Sequence, residues 1–167
     1  MVRSYNVKYQ KIETCNLGNG LGFRVVLWVS GCNHHCPGCQ NPETWDPKSG
    51  KLFTNKQQQQ ILEYLNYDYI QGITLSGGDP LMEYNLKTLT ALLKEIKTKL
   101  PNKDVWCYTG SLFENVKDLE IMNYIDVLID GPFILAKRDI TLAFRGSTNQ
   151  RIIDVKQSKE KGEIICL

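Results

Sequence analysis

The stretch that decides the fold reads Phe23-Arg-Val-Val-Leu-Trp-Val-Ser30, followed directly by Gly31-Cys-Asn-His-His-Cys-Pro-Gly-Cys-Gln40. The first half is a compact run of β-branched and aromatic residues, which predicts a strand. The second half places Cys32, Cys36 and Cys39 in the spacing C-x3-C-x2-C. Together the two halves predict a strand that ends in a metal-binding loop.

The cysteine triplet is typical of a site for a cubane iron–sulfur cluster, whose usual ligand set is four thiolates. A loop this short lets three sulfurs converge on one inorganic core, which leaves the fourth iron to another ligand. If that ligand is an exchangeable molecule, the cluster becomes a reaction site. If it is a fourth thiolate, the cluster is an electron carrier.

Zinc is the main alternative, because sites of three cysteines and one histidine are common and His34 and His35 lie inside the loop. Zinc sites usually draw their ligands from two separated pairs, however, whereas Cys15, Cys107 and Cys166 are isolated. We therefore favour an iron–sulfur site over zinc and over free or redox-active thiols. Both histidines are interpreted as exposed polar loop residues.

The composition is that of an ordinary globular protein. The 167 residues fit one domain spanning 1–167, with 42% hydrophobic residues, 23% charged residues and a net charge of +2. A net charge this small gives no electrostatic reason to expect binding to nucleic acids or membranes. Residues 1–8 lack the apolar core of a signal peptide, and no apolar run is long enough to span a membrane. Together with the crowded thiols, these features predict a cytoplasmic protein.

Helix and strand patterns alternate after a polar, glycine-bearing lead-in. Leucine and isoleucine recur at helical spacing from Leu86 to Leu100, and Pro101 marks the end of that helix. The other predicted elements are a helix over 56–66 that begins in the glutamine tract, strands over 70–76 and 104–108, a helix over 112–124, a strand over 125–130, and strand-like pieces at 152–155 and 163–165.

This alternation predicts an α/β fold with parallel strands joined by crossovers. There are too few units for a closed eightfold barrel of about 250 residues, so we expect a partial, open β/α barrel with a mostly parallel sheet. Ligands gather at the carboxyl ends of such strands. The cysteine loop, Gly77–Pro80, Thr109-Gly110 and Asp130-Gly131 all follow strand ends. We expect these four segments to converge on one face.

The segments at that face offer a platform for a ligand. Gly77 and Gly78 would let the backbone approach it closely, although glycine pairs after strands are often simple turns. Asp79 adds a carboxylate suited to a cationic amine. Asp130 could bond a ribose hydroxyl or equally cap the next helix. No Ser-His-Asp, Cys-His or paired-carboxylate set is evident, so the chemistry is expected to reside in a cofactor.

The remaining notable side chains are predicted to be structural. Cys107 and Cys166 are interpreted as small buried hydrophobes in strands, and Cys15 as a loop residue. Trp28 and Trp106 are assigned to the core. The glycine-rich stretch 19–24 precedes a strand, which argues against a nucleotide fingerprint, and Arg24 is a candidate partner for a nearby acidic group.

With these motifs in place, the chain resembles the radical S-adenosylmethionine superfamily. Within it, the chain is similar to the family of activating proteins of anaerobic, glycyl-radical ribonucleoside-triphosphate reductases. The matching stretches cover nearly the whole chain: Asn19–Arg24, Val29–Cys39, Asn41 with Thr44-Trp45, Leu75–Leu81, Trp106–Gly110, Asp126–Phe133 and Arg145–Gln150.

The resemblance implies that the three cysteines of the loop hold one 4Fe-4S cluster, whose fourth iron binds the amino and carboxylate groups of S-adenosylmethionine. The reduced cluster would pass one electron to the sulfonium, releasing methionine and a 5′-deoxyadenosyl radical. That radical would take a hydrogen atom from a glycine of the large subunit of the reductase. A reduced flavoprotein suits the family as the electron donor.

The resemblance also implies roles for individual residues. Gly77, Gly78 and Asp79 would hold the methionyl amino group. Gly38 and Gln40 would flank the cofactor beside the cluster, although Gly38 stands where the superfamily often has an aromatic residue and Gln40 where this family often has one. The side chain that covers the adenine is therefore open. Asp130 would contact the ribose, and Asp79 replaces the more frequent glutamate with its charge retained.

A long irregular segment in a compact domain is often functional. We therefore expect the polar stretch from 137 to 151 to help dock the reductase, through residues that include Arg138, Asp139, Arg145, Asn149 and Gln150. Three other functions stay open at this point: an activator of another glycyl-radical enzyme, a non-catalytic iron–sulfur electron carrier, and a zinc-stabilised binding module.

Overall fold

A computed structural model describes residues 7–167, so residues 1–6, which include most of the stretch judged against a signal peptide, lie outside the described residues. The strands are β1 Lys8–Asn16, β2 Phe23–Val29, β3 Lys51–Leu52, β4 Ile70–Gly77, β5 Asp104–Tyr108, β6 Val127–Asp130 and β7 Arg151–Asp154. The α-helices are α1 Asn55–Leu65, α2 Glu83–Lys99, α3 Phe113–Val116 and α4 Val155–Lys161, and turns of 3-10 helix lie at Pro42–Thr44, Glu120–Asn123 and Leu135–Lys137.

The strands form one open, seven-stranded sheet in the order β3-β1-β2-β4-β5-β6-β7. The four central strands, β2, β4, β5 and β6, are parallel, whereas β1, β3 and β7 pair antiparallel at the two sides. The fold is therefore α/β with a partly parallel sheet. Because the central strands all point the same way, their carboxyl ends meet at one edge.

The helices cover one face of this sheet, as the leucine pattern requires. The buried side of α2 includes Leu89, Leu92, Leu93 and Ile96, and these residues join the main core with the strand residues that alternate toward them. Helix α1 begins just before the glutamine tract, with a capping box between Thr54 and Gln57. The glutamines thus start a helix, as predicted.

The other face of the central strands has a second, smaller core. Trp106, Val127 and Ile129 form it, with Phe144 from the segment between β6 and β7 packed against them. On the same face Arg24 is fully buried and its Nη2 lies 2.5 Å from Oδ1 of Asp104, which confirms its predicted acidic partner. The segment after β6 therefore covers this face of the sheet and leaves a cavity beside the strand ends.

Three predictions of local structure were wrong. Strand β1 lies where only a polar lead-in was expected. The sequence did not reveal this strand, because it pairs at one side of the sheet, where its side chains stay partly exposed and show no clear alternation. The helix over 112–124 is split at Leu119, whose extended backbone lets both short helical pieces bury apolar residues. The piece at 163–165 is not a strand; a single bridge joins Ile153 to Cys166.

No helix in residues 7–167 combines the length and hydropathy needed to cross a membrane.

Candidate functional site

A cavity of about 370 Å³ opens at the carboxyl ends of the four parallel strands. All four segments that were predicted to converge contribute to it. The lining includes the following predicted residues: Cys32, Cys36, Cys39, Gln40, Gly77, Gly78, Asp79, Thr109, Gly110 and Gly131. The structure thus confirms that these strand ends meet at one place.

The cysteine loop is anchored at its start by backbone bonds and contains a hydrogen-bonded turn near its end. The amides of Gly31 and Cys32 donate to the carbonyls of Thr44 and Trp45 at 2.6 and 3.1 Å. Near the other end, the amide of Cys39 donates to the carbonyl of Cys36 at 3.0 Å. The loop therefore has a defined path without any secondary structure of its own.

The donor set of the loop fits three ligands of an iron–sulfur cluster. All three thiols are free, partly exposed and directed to the same cavity. The sulfur of Cys39 accepts a bond from the amide of Asn41 at 3.4 Å, a contact that would stabilise a thiolate. Burial raises the pKa of the Cys32 thiol, and a bound cluster would counter this effect by favouring the thiolate.

Within residues 7–167, no three His, Cys, Asp or Glu side chains are grouped closely enough to hold a single metal ion. The fit to a cluster rests on the three thiols and their shared cavity.

His34 is not the free loop residue that the sequence suggested. Its Nε2 lies 2.7 Å from Oδ2 of Asp79, and this hydrogen bond raises the pKa of the imidazole. No local pattern predicts this pair, because the two residues are 45 positions apart. His35 is exposed as predicted, but its ring stacks on Trp45 with centroids 4.5 Å apart.

The carboxylate of Asp79 is only 1% exposed and is fully engaged by the protein. Besides His34, its Oδ2 accepts bonds from Thr109 Oγ1 at 2.9 Å and from the amide of Gly110 at 3.0 Å. Its Oδ1 accepts from the amide of Leu81 at 2.9 Å. Asp79 therefore joins the cysteine loop to the ends of β4 and β5.

Gly77 and Gly78 line the cavity. Both positions require glycine, because neighbouring backbone lies too close for a side chain to fit. Gly77 has φ of +110°, and a Cβ there would overlap the carbonyl oxygen of Val29. A Cβ on Gly78 would lie 2.5 Å from the carbonyl oxygen of Gly31. Close approach of backbone to backbone thus brings the glycine segment beside the cysteine loop.

Two predicted residues do not reach the cavity. Gly38 is absent from its lining, and a Cβ there would lie 2.9 Å from a methyl carbon of Leu135. Asp130 is fully buried, with its Oδ1 3.0 Å from Arg151 Nε and its Oδ2 accepting from the amide of Phe113 at 2.8 Å. The bond to Phe113 caps the start of α3, which precedes β6, and not the next helix that the sequence suggested; the ribose contact stays a prediction.

The isolated cysteines are only partly as expected. Cys107 is fully buried in the main core, and burial raises its pKa well above the ordinary value. Cys166 is exposed rather than buried, and Cys15 lies in β1 rather than in a loop. Among the tryptophans, Trp106 is a core residue, whereas Trp28 lines the cavity.

The polar stretch after β6 divides into an outer and an inner part. Arg138 is exposed and Asp139 partly so, whereas Arg145 and Gln150 line the cavity. The side chain of Asn149 donates to the carbonyl of Pro132 at 2.8 Å. The sequence marked this stretch as functional, but it could not show which side chains turn inward.

The segment between β6 and β7 also brings two aromatic residues to the cavity that were not predicted from the sequence. Phe133 and Phe144 line the cavity, and the hydroxyl of Tyr108 donates to the carbonyl of Phe144 at 2.5 Å. Burial raises the pKa of Tyr108 well above its ordinary value, so this hydroxyl remains a donor. No periodicity or motif in the sequence marks these contacts.

The fold and the three-thiol cavity define the chain as an iron–sulfur protein of the single-cluster class. In agreement, residues 18–153 match the family model described as a 4Fe-4S single cluster domain. Proteins named anaerobic ribonucleoside-triphosphate reductase-activating protein are similar over most of the chain. The one from Enterobacteria phage T4 is 43% identical over 146 residues, covering 87% of this chain and 93% of the relative.

The protein of that name from Haemophilus influenzae is 44% identical over 150 residues, covering 87% of this chain and 97% of the relative. The one from Escherichia coli K12 is 40% identical over 148 residues, covering 86% and 96%. The chain therefore belongs to the family of anaerobic ribonucleoside-triphosphate reductase-activating proteins.

Proposed function

We propose that this chain is a radical S-adenosylmethionine enzyme that generates a glycyl radical on the large subunit of anaerobic ribonucleoside-triphosphate reductase. One observation carries the proposal: Cys32, Cys36 and Cys39 share a cavity with the glycine segment that ends β4. When bound there, a reduced 4Fe-4S cluster supplies one electron to the sulfonium, giving methionine and a 5′-deoxyadenosyl radical that takes a hydrogen atom from the glycine.

The chain's own residues bind and orient these groups. The three cysteines hold the cluster, and the segment Gly77 to Asp79 lies beside them to receive the methionyl amino group. Because the oxygens of Asp79 are taken by protein donors, we assign it the task of fixing this segment against the loop. Gln40 flanks the cofactor from the cavity lining.

Two predicted contacts have weaker support. Gly38 is placed beside the cluster by its position between Cys36 and Cys39, but it lies on the side of the loop that faces Leu135. A ribose contact by Asp130 would require its carboxylate to leave Arg151. We therefore place the ribose nearer to Gly131, which does line the cavity.

The proposal also includes the domain architecture, the cellular location and the electron donor. The sheet is continuous from β3 to β7 with a core on each face, which supports one domain over 1–167 curled as a partial β/α barrel. The sequence supports a cytoplasmic location, and the family resemblance suggests a reduced flavoprotein as electron donor. No role at nucleic acids or membranes is included, in keeping with a net charge of +2.

The reductase is proposed to dock on the outer part of the stretch after β6. Ile140 is 86% exposed there, next to the exposed Arg138 and close in sequence to Leu142, which lines the cavity. Extended apolar patches mark interaction sites, and Leu135, 52% exposed, adds to the apolar surface that this segment presents. A glycine loop bound at this rim would lie at the mouth of the cavity.

The proposal is tested by anaerobic reconstitution of the cluster, reduction, and addition of S-adenosylmethionine with the reductase. We expect 5′-deoxyadenosine in solution and the EPR doublet of a glycyl radical on the reductase. Formation of 5′-deoxyadenosine without that doublet, but with a doublet on another glycyl-radical enzyme, would reassign the partner. A colourless protein with zinc and no acid-labile sulfide would overturn the proposal.

The electron-carrier alternative requires a fourth thiolate. Cys107 is a poor candidate, because it is buried in the core on the helix-covered face. Replacing Cys15, Cys107 and Cys166 in turn with alanine should leave the cluster intact. Loss of the cluster in one of these variants would favour the carrier.

A further inference from the structure

The first turn of helix α2 packs against the start of the cysteine loop. The side-chain amide of Asn85 donates to the carbonyl of Ser30 at 3.3 Å. The ring of Tyr84 lies against Gly31, where a Cβ would overlap both the ring edge and the hydroxyl oxygen of the tyrosine. Gly31 directly precedes Cys32, and Tyr84 is not among the residues that line the cavity. The hydroxyl therefore reaches the cysteine loop from outside the cavity.

The hydroxyl of Tyr84 is a free donor. Within residues 7–167 it has no hydrogen-bond partner, although Tyr84 is only 39% exposed. Partial burial raises the pKa of Tyr84, and the negative charges of Cys32 and Asp79 raise it further. The hydroxyl therefore keeps its proton at neutral pH, and it can rotate to direct that proton toward a nearby negative charge.

The sulfur of Cys32 lies where such a donor would matter. Burial raises the pKa of this thiol, and the charge of Asp79 acts in the same sense. The backbone amides of His34 and His35 oppose both effects by donating toward the sulfur. The environment thus contains groups that disfavour negative charge on Cys32 and groups that favour it, and the hydroxyl of Tyr84 belongs with the second kind.

Hydrogen bonds to the sulfur atoms of an iron–sulfur cluster help to set its reduction potential. Reduction adds one negative charge, so a donor beside a ligating sulfur stabilises the reduced cluster more than the oxidised one. We propose that the hydroxyl of Tyr84 stabilises the reduced cluster at Cys32 and thereby raises the reduction potential. This inference rests on the proposed function, because it concerns the cluster that the three cysteines hold. Since Tyr84 lies outside the cavity, binding of S-adenosylmethionine should not depend on it.

The test is a redox titration of the anaerobically reconstituted holoenzyme, followed by EPR without S-adenosylmethionine. Tyr84→Phe keeps the ring against Gly31 and removes only the hydroxyl. At a fixed potential its ratio of reduced to oxidised cluster should fall about three- to tenfold, the usual effect of one hydrogen bond, which corresponds to a midpoint about 30–60 mV more negative. Tyr69→Phe is the matched control: Tyr69 is 59% exposed and precedes β4, at the end of that strand far from the cysteine loop, so its midpoint should equal that of wild type.

The possible results separate this inference from the proposed function. If the wild-type protein holds no iron–sulfur cluster, both are overturned. If the midpoint of Tyr84→Phe equals that of wild type or is less negative, the role of the hydroxyl is overturned and the proposed function stands. The same holds if this variant changes only the Kd for S-adenosylmethionine. Should Tyr84→Phe not assemble a cluster, Tyr84→Leu takes its place: it also lacks the hydroxyl and should have a more negative midpoint, and an unchanged midpoint would again overturn the inference.

Discussion

The imidazole of His34 and the carboxylate of Asp79, 2.7 Å apart, join the cysteine loop to the end of the second parallel strand. The loop has no helix or strand of its own, so this side-chain contact adds to the few backbone bonds that fix its position. Asp79 in turn holds Thr109 and Gly110 at the end of the next strand. One buried carboxylate therefore sets the relative positions of three segments that line the cavity.

Removal of this contact should loosen the loop. We predict that His34→Ala keeps its cluster but releases iron to a chelator at least about tenfold faster, because a charge-assisted hydrogen bond contributes about 1.5–3 kcal/mol. His35→Asn is the matched control, since His35 does not contact Asp79 and asparagine tolerates its φ of +46°. Release from His34→Ala at the wild-type rate would show that the contact does not stabilise the loop.

Asp79→Asn should act on the fold more than on the cofactor. An amide cannot accept bonds from all four donors, so we predict a loss of about 3 kcal/mol in the free energy of unfolding, measured with urea under anaerobic conditions. The alternative is a direct contact between this carboxylate and the methionyl amine. Unchanged stability with much weaker binding of S-adenosylmethionine would support that alternative.

The pair formed by Asp130 and Arg151 is expected to be structural. Removing the carboxylate with Asp130→Asn should destabilise the protein by about 3 kcal/mol, because Asp130 is completely buried. A double-mutant cycle with Arg151→Gln should give a coupling energy of about 1–3 kcal/mol. If Asp130→Asn instead leaves stability intact and weakens S-adenosylmethionine binding, the carboxylate contacts the ribose as the family resemblance implies.

Two glycines with positive φ provide a further test of packing. Gly77→Ala should cost about 3 kcal/mol or more, since its Cβ would overlap the backbone of β2. Gly162→Ala should cost only about 1 kcal/mol, because no atom lies within 4 Å of its Cβ and only the left-handed backbone is strained. Similar melting temperatures for the two variants would contradict the close approach of β4 to β2.

The sequence was sufficient for the parts of the molecule that depend on local pattern. The run from Phe23 to Ser30 predicted β2 nearly to the residue, and the leucine spacing predicted α2. The convergence of strand ends followed from the parallel order alone. Strand β1 escaped prediction because it lies outside the parallel core, where partly exposed side chains leave no regular alternation.

The details of the site depend on contacts between distant residues. Nothing near His34 in the sequence indicates that it meets Asp79, and nothing near Arg145 indicates that its side chain turns inward while that of Arg138 stays outside. Asp130 is another residue whose partner could not be predicted from its neighbours in the sequence. Its place at the end of a strand suggested a ligand contact or a helix cap, and nothing near it in the sequence indicated a bond to Arg151, 21 residues away.

The central claim is that three cysteines leave one corner of the cluster to S-adenosylmethionine. It is tested most directly by the EPR spectrum of the reduced, anaerobically prepared protein, recorded with and without S-adenosylmethionine. We predict a clear change of the cluster signal on addition, in wild type and equally in variants that lack Cys15, Cys107 or Cys166. Superimposable spectra with and without S-adenosylmethionine would contradict it.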